Sequence, residues 1–327
     1  MKLETKHLFV SLGTLLAVLF LSFGQLNHVV AQDRKQVMTT FYPVYYLAQR
    51  IGGDSVDVEM LLEGNQSAHD YEVSAKDAAR TQAADLFIYQ DDEMEYFVSS
   101  LLTLIDSKQI QILESTATIE LLAGDSHAEE HAVDDHGEDE HAADEHADEA
   151  DHGHAHDFDP HTWLDPMIYA EQASNVKEAL IQLDPANQTV YEANAEQLIK
   201  ELTLLNEEYE THLSALDNRQ IVVQHAAFGY LTHAYDLEQV AIAGISTTQE
   251  PSAKELAKMQ KFILQEQVKV IFVEPSLDSA IAKAVTSGND VELRPLRTLE
   301  FVSTEENAQG VDYFSIMRDN LVELTRE

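Results

Sequence analysis

The fold of this chain is decided by the segment from residue 36 to residue 62, which reads QVMTTFYPVYYLAQRIGGDSVDVEMLL. Its apolar and β-branched runs predict a strand at 36–41, a helix at 44–51 and a second strand at 56–62. Two strands that flank one short helix are typical of a parallel sheet with helical crossovers. The segment therefore predicts an α/β protein.

The same alternation continues on both sides of one long helical stretch. Apolar residues from Tyr191 to Leu216 recur mostly every three or four positions, which predicts a single helix over 185–216. We therefore predict two Rossmann-like α/β lobes with parallel sheets, an N-terminal lobe at 32–184 and a C-terminal lobe at 217–327, joined by a long linking helix at 185–216. The other predicted strands are 86–89, 110–113, 220–224, 239–243 and 268–273, and the other predicted helices are 74–84, 94–105, 226–234 and 252–265.

The composition is that of a folded, strongly acidic protein. A chain of 327 residues with 44% hydrophobic and 24% charged residues is long enough for two ordinary domains. Its formal net charge of −39 makes nucleic acid and anionic lipid poor partners. The sequence has no cysteine, which excludes disulfides, thiolate metal sites and the acylated cysteine of a lipoprotein.

The first 31 residues resemble a secretory signal. Lys2 and Lys6 lie near the start, an apolar run covers 8–23, and small residues end at Ala31, after which we predict cleavage. The alternative is a permanent membrane anchor, which is disfavoured because the apolar run is short and no stop-transfer pattern follows. We therefore predict a periplasmic protein, and release from the cell stays open.

Residues 124–159 form an acidic, histidine-rich insertion in the first lobe. This segment contains eight histidines and fifteen acidic residues and lacks Lys and Arg. Neutral imidazoles can bind metal ions, and the carboxylates attract divalent cations. Because the segment offers few large apolar side chains to bury, we predict that it is disordered and collects metal.

Three further histidines occupy positions where ligands bind in α/β proteins. His69 follows a predicted strand, His161 lies in a proline-flanked loop, and His225 ends a predicted apolar strand. Each alone is more often structural or merely exposed, but three imidazoles match the nitrogen-rich site that zinc favours. A carboxylate or water would complete that site.

The motifs around these histidines resemble those of a known family. AHDYE at 68–72, DPHTWLDP at 159–166 and HAAFGY at 225–230 are similar to the histidine motifs of the metal-binding proteins that serve zinc and manganese ABC transporters. The ZnuA-like, zinc-specific branch is the most similar. The block around His161 is the most specific of these motifs, and the resemblance extends over essentially the whole mature chain.

The resemblance implies a metal site in the cleft between the lobes. His69 and His161 would come from the first lobe and His225 from the second. Manganese-type relatives usually have a carboxylate at the third position, so His225 favours Zn²⁺ as the transported ligand. Many relatives supply the last ligand from an Asp, whereas this chain has Glu300 at the corresponding place. Whether Glu300 or water is the fourth ligand stays open.

Several functions are compatible with such a site. The leading hypothesis is high-affinity capture of periplasmic Zn²⁺ by a monomer that delivers it to an ABC-transporter permease in the inner membrane. The alternatives are a zinc buffer or chaperone that acts through residues 124–159, and a manganese receptor. A zinc enzyme is disfavoured because the sequence has no His-Glu-x-x-His helix.

Overall fold

Strands and helices alternate through the first lobe as the sequence predicts. A computed structural model describes residues 34–63, 66–124, 157–245 and 252–326. The predicted signal and nearly all of the acidic, histidine-rich insertion lie outside these residues. The elements of the first lobe are β1 (Lys35–Thr39), α1 (Tyr42–Gly52), β2 (Val56–Met60), α2 (Ala75–Gln82), β3 (Leu86–Tyr89), α3 (Phe97–Leu104), β4 (Gln111–Glu114) and α4 (Pro166–Leu183).

A long helix, α5 (Gln188–Leu213), separates this lobe from a second one of the same kind. The second lobe continues the alternation and ends with elements that the sequence did not predict, from α8 onward. Its elements are β5 (Gln220–His225), α6 (Gly229–Ala234), β6 (Glu238–Ala243), α7 (Ala253–Gln265), β7 (Val270–Val273), α8 (Ala280–Thr286), β8 (Glu292–Pro295), α9 (Thr304–Ala308) and α10 (Tyr313–Thr325).

Each lobe contains one four-stranded sheet, and both sheets have the same topology. The strand orders are β2-β1-β3-β4 and β6-β5-β7-β8, and every pairing is parallel. In such a sheet the strand order reverses beside the first strand, and loops at the carboxyl ends of the strands there form a natural binding crevice. The predicted fold class is therefore confirmed, while the predicted lobe boundaries stay predictions.

The linking helix is shorter than the predicted 185–216. Pro185–Asn187 form a separate 3₁₀ turn, and the α-helix ends at Leu213. The last buried position of its apolar stripe is therefore Leu213, whereas Leu216 lies beyond the helix and is only partly buried. The stripe faces α1 and α4 of the first lobe and α10 of the second.

The hydrophobic core is shared between the lobes. One continuous cluster of buried residues runs from the first sheet through α5 to α10, and a smaller cluster lies within the second lobe alone. At the junction Tyr313 stacks on Tyr169 with ring centroids 4.5 Å apart. None of the helices in the described part of the chain is long and apolar enough to span a bilayer.

Candidate metal centre

Four predicted ligand residues meet in a buried space between the two lobes. His69 lies in the loop after β2, His161 precedes a 3₁₀ turn at Thr162–Leu164, His225 is the last residue of β5, and Glu300 follows β8. All four side chains are buried, and that of His161 is fully inaccessible. The sequence-predicted site residues are thus brought together by loops at the carboxyl ends of parallel strands.

Glu300 lies at the centre of this group. Its Oε2 atom is 3.6 Å from Nε2 of His69, and its Oε1 atom is 3.5 Å from Nε2 of His161 and 3.6 Å from Nε2 of His225. One ligand atom from each of His69, His161 and Glu300 lies within 4.8 Å of the others. His225 approaches this trio from the second lobe, with its ring centroid 6.0 Å from that of His161.

These separations suit donors around a metal ion better than direct hydrogen bonds. Donors bound at 2.0–2.1 Å to a tetrahedral zinc ion lie about 3.3 Å from one another. Within the described residues, Nε2 of His161, Nε2 of His225 and both carboxylate oxygens of Glu300 are buried without a hydrogen-bond partner. Because buried polar atoms are normally paired, donors left facing one another can together hold a cation.

The electrostatics of the centre also favour a positive charge. Burial opposes a charge on His161, but hydrogen bonding to Asp159 and the contact with Glu300 outweigh it and raise the pKa of His161 to about 9. Burial likewise opposes the charge on Glu300, yet the neighbouring histidines hold its pKa well below the ordinary value. A proton on His161 therefore balances Glu300 in the metal-free protein, and an incoming metal ion must displace it.

Asp159 fixes the orientation of His161. Its Oδ1 atom lies 2.8 Å from Nδ1 of His161 and also accepts the backbone N–H of that residue at 3.0 Å. A carboxylate on Nδ1 sets the tautomer that leaves Nε2 free to bind a metal, and it raises the basicity of the ring. Asp159 belongs to the motif at 159–166, but the motif alone does not predict this contact.

A buried amide network supports the loop that carries His161. Nε2 of Gln90 donates to the carbonyl of Pro160 at 2.9 Å and to the hydroxyl of Thr162 at 2.6 Å. Gln172 of α4 donates to Gln90 at 2.8 Å and accepts from the Thr162 hydroxyl at the same distance. Neither glutamine could be identified from the sequence, because an amide at a strand end or within a helix has no distinctive pattern.

Glu300 is presented by an unusual backbone turn. Leu299 adopts φ = 66°, a left-handed conformation that is rare for a large side chain and that commonly marks functional loops. The preceding residue, Thr298, is fixed from both lobes: its N–H donates to Glu274 at 2.7 Å, and its carbonyl accepts the indole N–H of Trp163 at 2.7 Å. The turn is therefore held in place on both sides.

Two other histidines contribute nothing to the centre. His212 on α5 and His233 on α6 are exposed. Residues 125–156, which contain the eight histidines of the insertion, lie outside the described residues. The predicted metal collection by that segment therefore stays a prediction.

The sequence and the fold have counterparts among known proteins. A family model described as zinc-uptake complex component A, periplasmic, matches residues 37–327. The zinc-binding protein AdcA of Streptococcus pyogenes is 36% identical over 297 residues, which are 91% of this chain and 56% of that protein. The chain thus spans little more than half the length of the first curated relatives that it matches.

Other relatives match over nearly their full length. The high-affinity zinc uptake system protein ZnuA of Bacillus subtilis is 36% identical over 289 residues, which are 88% of this chain and 86% of that protein. Among solved structures, the Zn(II)-bound ZnuA-like domain of Streptococcus pneumoniae AdcA superposes with a TM-score of 0.73 at 31% identity. That match covers 90% of this chain and 98% of the domain.

Proposed function

Because this chain belongs to the family of periplasmic zinc-uptake complex component A proteins, we propose that it captures Zn²⁺ outside the cytoplasm and delivers it to an ABC-transporter permease. The observation that carries this proposal is the convergence of three imidazole nitrogens on the buried carboxylate of Glu300. Three nitrogens and one carboxylate oxygen suit tetrahedral zinc, and binding would replace the proton held at His161.

The geometry favours zinc over manganese. Manganese prefers octahedral sites rich in oxygen, whereas the donor set here is His69, His161, His225 and Glu300. It also favours binding over catalysis, because the four side chains are buried and surround one another. A catalytic zinc ion needs an open position for water and substrate, and four protein ligands would fill a tetrahedral shell.

A zinc titration of the mature chain tests this proposal. We expect one tight site that disappears in His225→Ala and is weakened roughly 100-fold or more in Glu300→Gln, since the substitution leaves buried histidines around a metal without their counter-charge. His212→Ala, which removes an exposed histidine from α5, is the matched control and should bind as the wild type does. A site that survives both substitutions at the centre would contradict the proposal.

A shortened variant separates capture in the cleft from buffering by the insertion. Gly124 and Asp157 lie next to each other, because the N–H of Gly124 donates a hydrogen bond to the carbonyl of Asp157 at 2.8 Å. A short turn can therefore replace residues 125–156. We expect the shortened protein to keep its tight site and to prefer zinc over manganese in competition. Loss of tight binding would favour the buffer, and a preference for manganese would favour the manganese receptor.

The proposal also covers export of the protein and its oligomeric state. One relative, from Streptococcus pneumoniae, is named a zinc-binding lipoprotein, but none of the 327 residues here is a cysteine that could carry a lipid. We infer that residues 1–31 direct export and are removed after Ala31, and that the mature chain acts as a monomer. N-terminal sequencing and light scattering of the exported protein test these two points.

A further inference from the structure

A chain of contacts joins the lobes beside the metal centre. The N–H of Leu122, in the first lobe, donates to the hydroxyl oxygen of Tyr230 on α6 of the second lobe at 2.8 Å. The carbonyl of Leu122 accepts the N–H of Asp159 at 2.9 Å. We call Leu122, Asp159, Gly229 and Tyr230 the latch.

Gly229 brings the second lobe against Asp159. A Cβ atom at position 229 would lie 2.2 Å from Oδ2 of Asp159, so no larger residue fits unless that carboxylate moves. The backbone of Gly229 does not have positive φ, and the requirement for glycine is therefore one of close approach rather than of conformational freedom. The other oxygen of Asp159, Oδ1, contacts Nδ1 of His161.

The latch thus connects Gly229 and Tyr230 of the second lobe to His161 of the first lobe. Tyr230 holds the backbone of Leu122, Leu122 holds the backbone of Asp159, and Asp159 orients His161. Parting the lobes at this side breaks the hydrogen bond between Leu122 and Tyr230 and draws Gly229 away from Asp159. The segment 225–230 therefore supplies both a ligand, His225, and the contacts that hold His161.

We propose that Gly229 and Tyr230 are positioning residues for the metal ion, and that the latch slows release of the ion by holding His161 in the binding orientation. This inference rests on the proposed function, because it concerns the same centre. It predicts that breaking the latch accelerates dissociation more than it slows association, since the latch holds His161 against the bound ion.

The first test is Tyr230→Phe, which removes one oxygen atom and preserves the ring. Loss of this single, partly buried hydrogen bond predicts that zinc leaves roughly 2- to 10-fold faster in a stopped-flow chelator chase. Tyr191→Phe is the matched control, because Tyr191 is also buried and donates its hydroxyl proton to Asp184 at 3.0 Å away from the centre. Equal dissociation rates in the two variants would overturn the inference.

The second test is Gly229→Ala, compared with Gly52→Ala. A Cβ atom at Gly52 would also meet a side-chain atom at 2.2 Å, namely Cγ2 of Val56, but away from the metal centre. Both variants should lower stability, whereas only Gly229→Ala should weaken zinc binding, by roughly 10- to 100-fold, as expected when a carboxylate behind a ligand histidine is displaced. Equal zinc affinity in the two variants would contradict the latch.

Hydrogen exchange separates failure of this inference from failure of the proposed function. In metal-free protein the N–H of Leu122 should be protected, and Tyr230→Phe should remove that protection while Tyr191→Phe leaves it unchanged. If the wild type binds no zinc, the proposed function fails, whatever the exchange shows. If the wild type binds zinc and Leu122 exchanges equally in wild type and Tyr230→Phe, the latch alone is overturned.

Discussion

At the scale of single residues, His161 has the most informative surroundings. Its Nδ1 atom faces Asp159 and its Nε2 atom faces Glu300, so the ring lies between two carboxylates in a site closed to solvent. A proton is retained there in the absence of metal, and a metal ion can take its place. The centre therefore couples the affinity for metal and the stability of the protein to pH.

The stability of the metal-free protein should fall as the pH rises from about 6.5 to about 9. Folding raises the pKa of His161 from 6.5 to about 9. Its contribution to the free energy of unfolding is therefore complete below pH 6.5 and is lost as the pH rises through about 9. Glu300 matters at acid pH, because the contribution of its carboxylate to the free energy of unfolding disappears as the pH falls through its lowered pKa. Urea unfolding at several pH values measures both effects.

Zinc affinity should change in the opposite direction over the same range. Binding must release the proton of His161, so affinity rises with pH until about 9. Calorimetric titrations near pH 7 in buffers of different ionisation enthalpy should reveal net proton release. An enthalpy that does not depend on the buffer would contradict this assignment.

The proposed ligand residues are easier to predict from the sequence than the residues that orient them. His69, His161 and His225 each adjoin a predicted strand or a proline-flanked loop, and imidazole itself signals metal chemistry. Gln90 and Tyr230 act through hydrogen bonds to residues far away in sequence. Such bonds depend on how two lobes meet, which no local pattern encodes.

At the scale of elements, α4 connects the metal centre to the core of the first lobe. It begins five residues after His161, and the carboxylate of Asp165 accepts the N–H groups of Met167 and Ile168 at 2.7 and 3.3 Å. Pro166 occupies its first turn, where the missing N–H costs nothing. The cap thus fixes where the histidine loop ends and the helix begins.

Asp165→Ala should lower the free energy of unfolding by about 1 kcal/mol, the usual cost of losing a helix cap. Urea denaturation of the metal-free protein measures this change. Ser252→Ala on α7 offers a comparison, because Ser252 caps an exposed helix start in the second lobe. We expect zinc binding to weaken only in Asp165→Ala, and equal zinc affinity in both variants would argue against a role for the cap in holding the loop.

Helix α4 is also an element that the pattern of apolar residues does not predict. The alternation of apolar runs predicted seven of the eight strands that the structure describes, but it did not predict β8, α4 or the helices after β7. The buried side of α4 includes Gln172 and several alanines, so the contrast between its faces is weak. The short strand β8 has the sequence ELRP, in which charged residues obscure the strand signal. Both elements are specified by tertiary contacts.

At the scale of the whole molecule, the shared core makes the lobes thermodynamically dependent on each other. The larger buried cluster includes residues of both lobes, and α5 contacts helices of each. Independent domains would instead each enclose a core of their own. Large rotation of one lobe would therefore disrupt apolar packing as well as polar contacts, which limits the motion available for metal release.

Metal-free protein should consequently unfold in one cooperative transition. Far-UV circular dichroism reports the helices of both lobes, and near-UV circular dichroism reports the aromatic cluster around Tyr313 at their junction. The two signals should give the same midpoint in urea. Addition of zinc should shift both together, and a separate early transition of the second lobe would contradict the prediction.

The lone tryptophan gives this molecule a built-in optical reporter. Trp163 is fully buried, its ring centroid lies 5.3 Å from that of His161, and its indole N–H reaches across to the carbonyl of Thr298. Emission excited selectively from tryptophan therefore originates beside the metal centre, on the boundary between the lobes. Its intensity can follow ion uptake and loss in real time, without a dye or an engineered label.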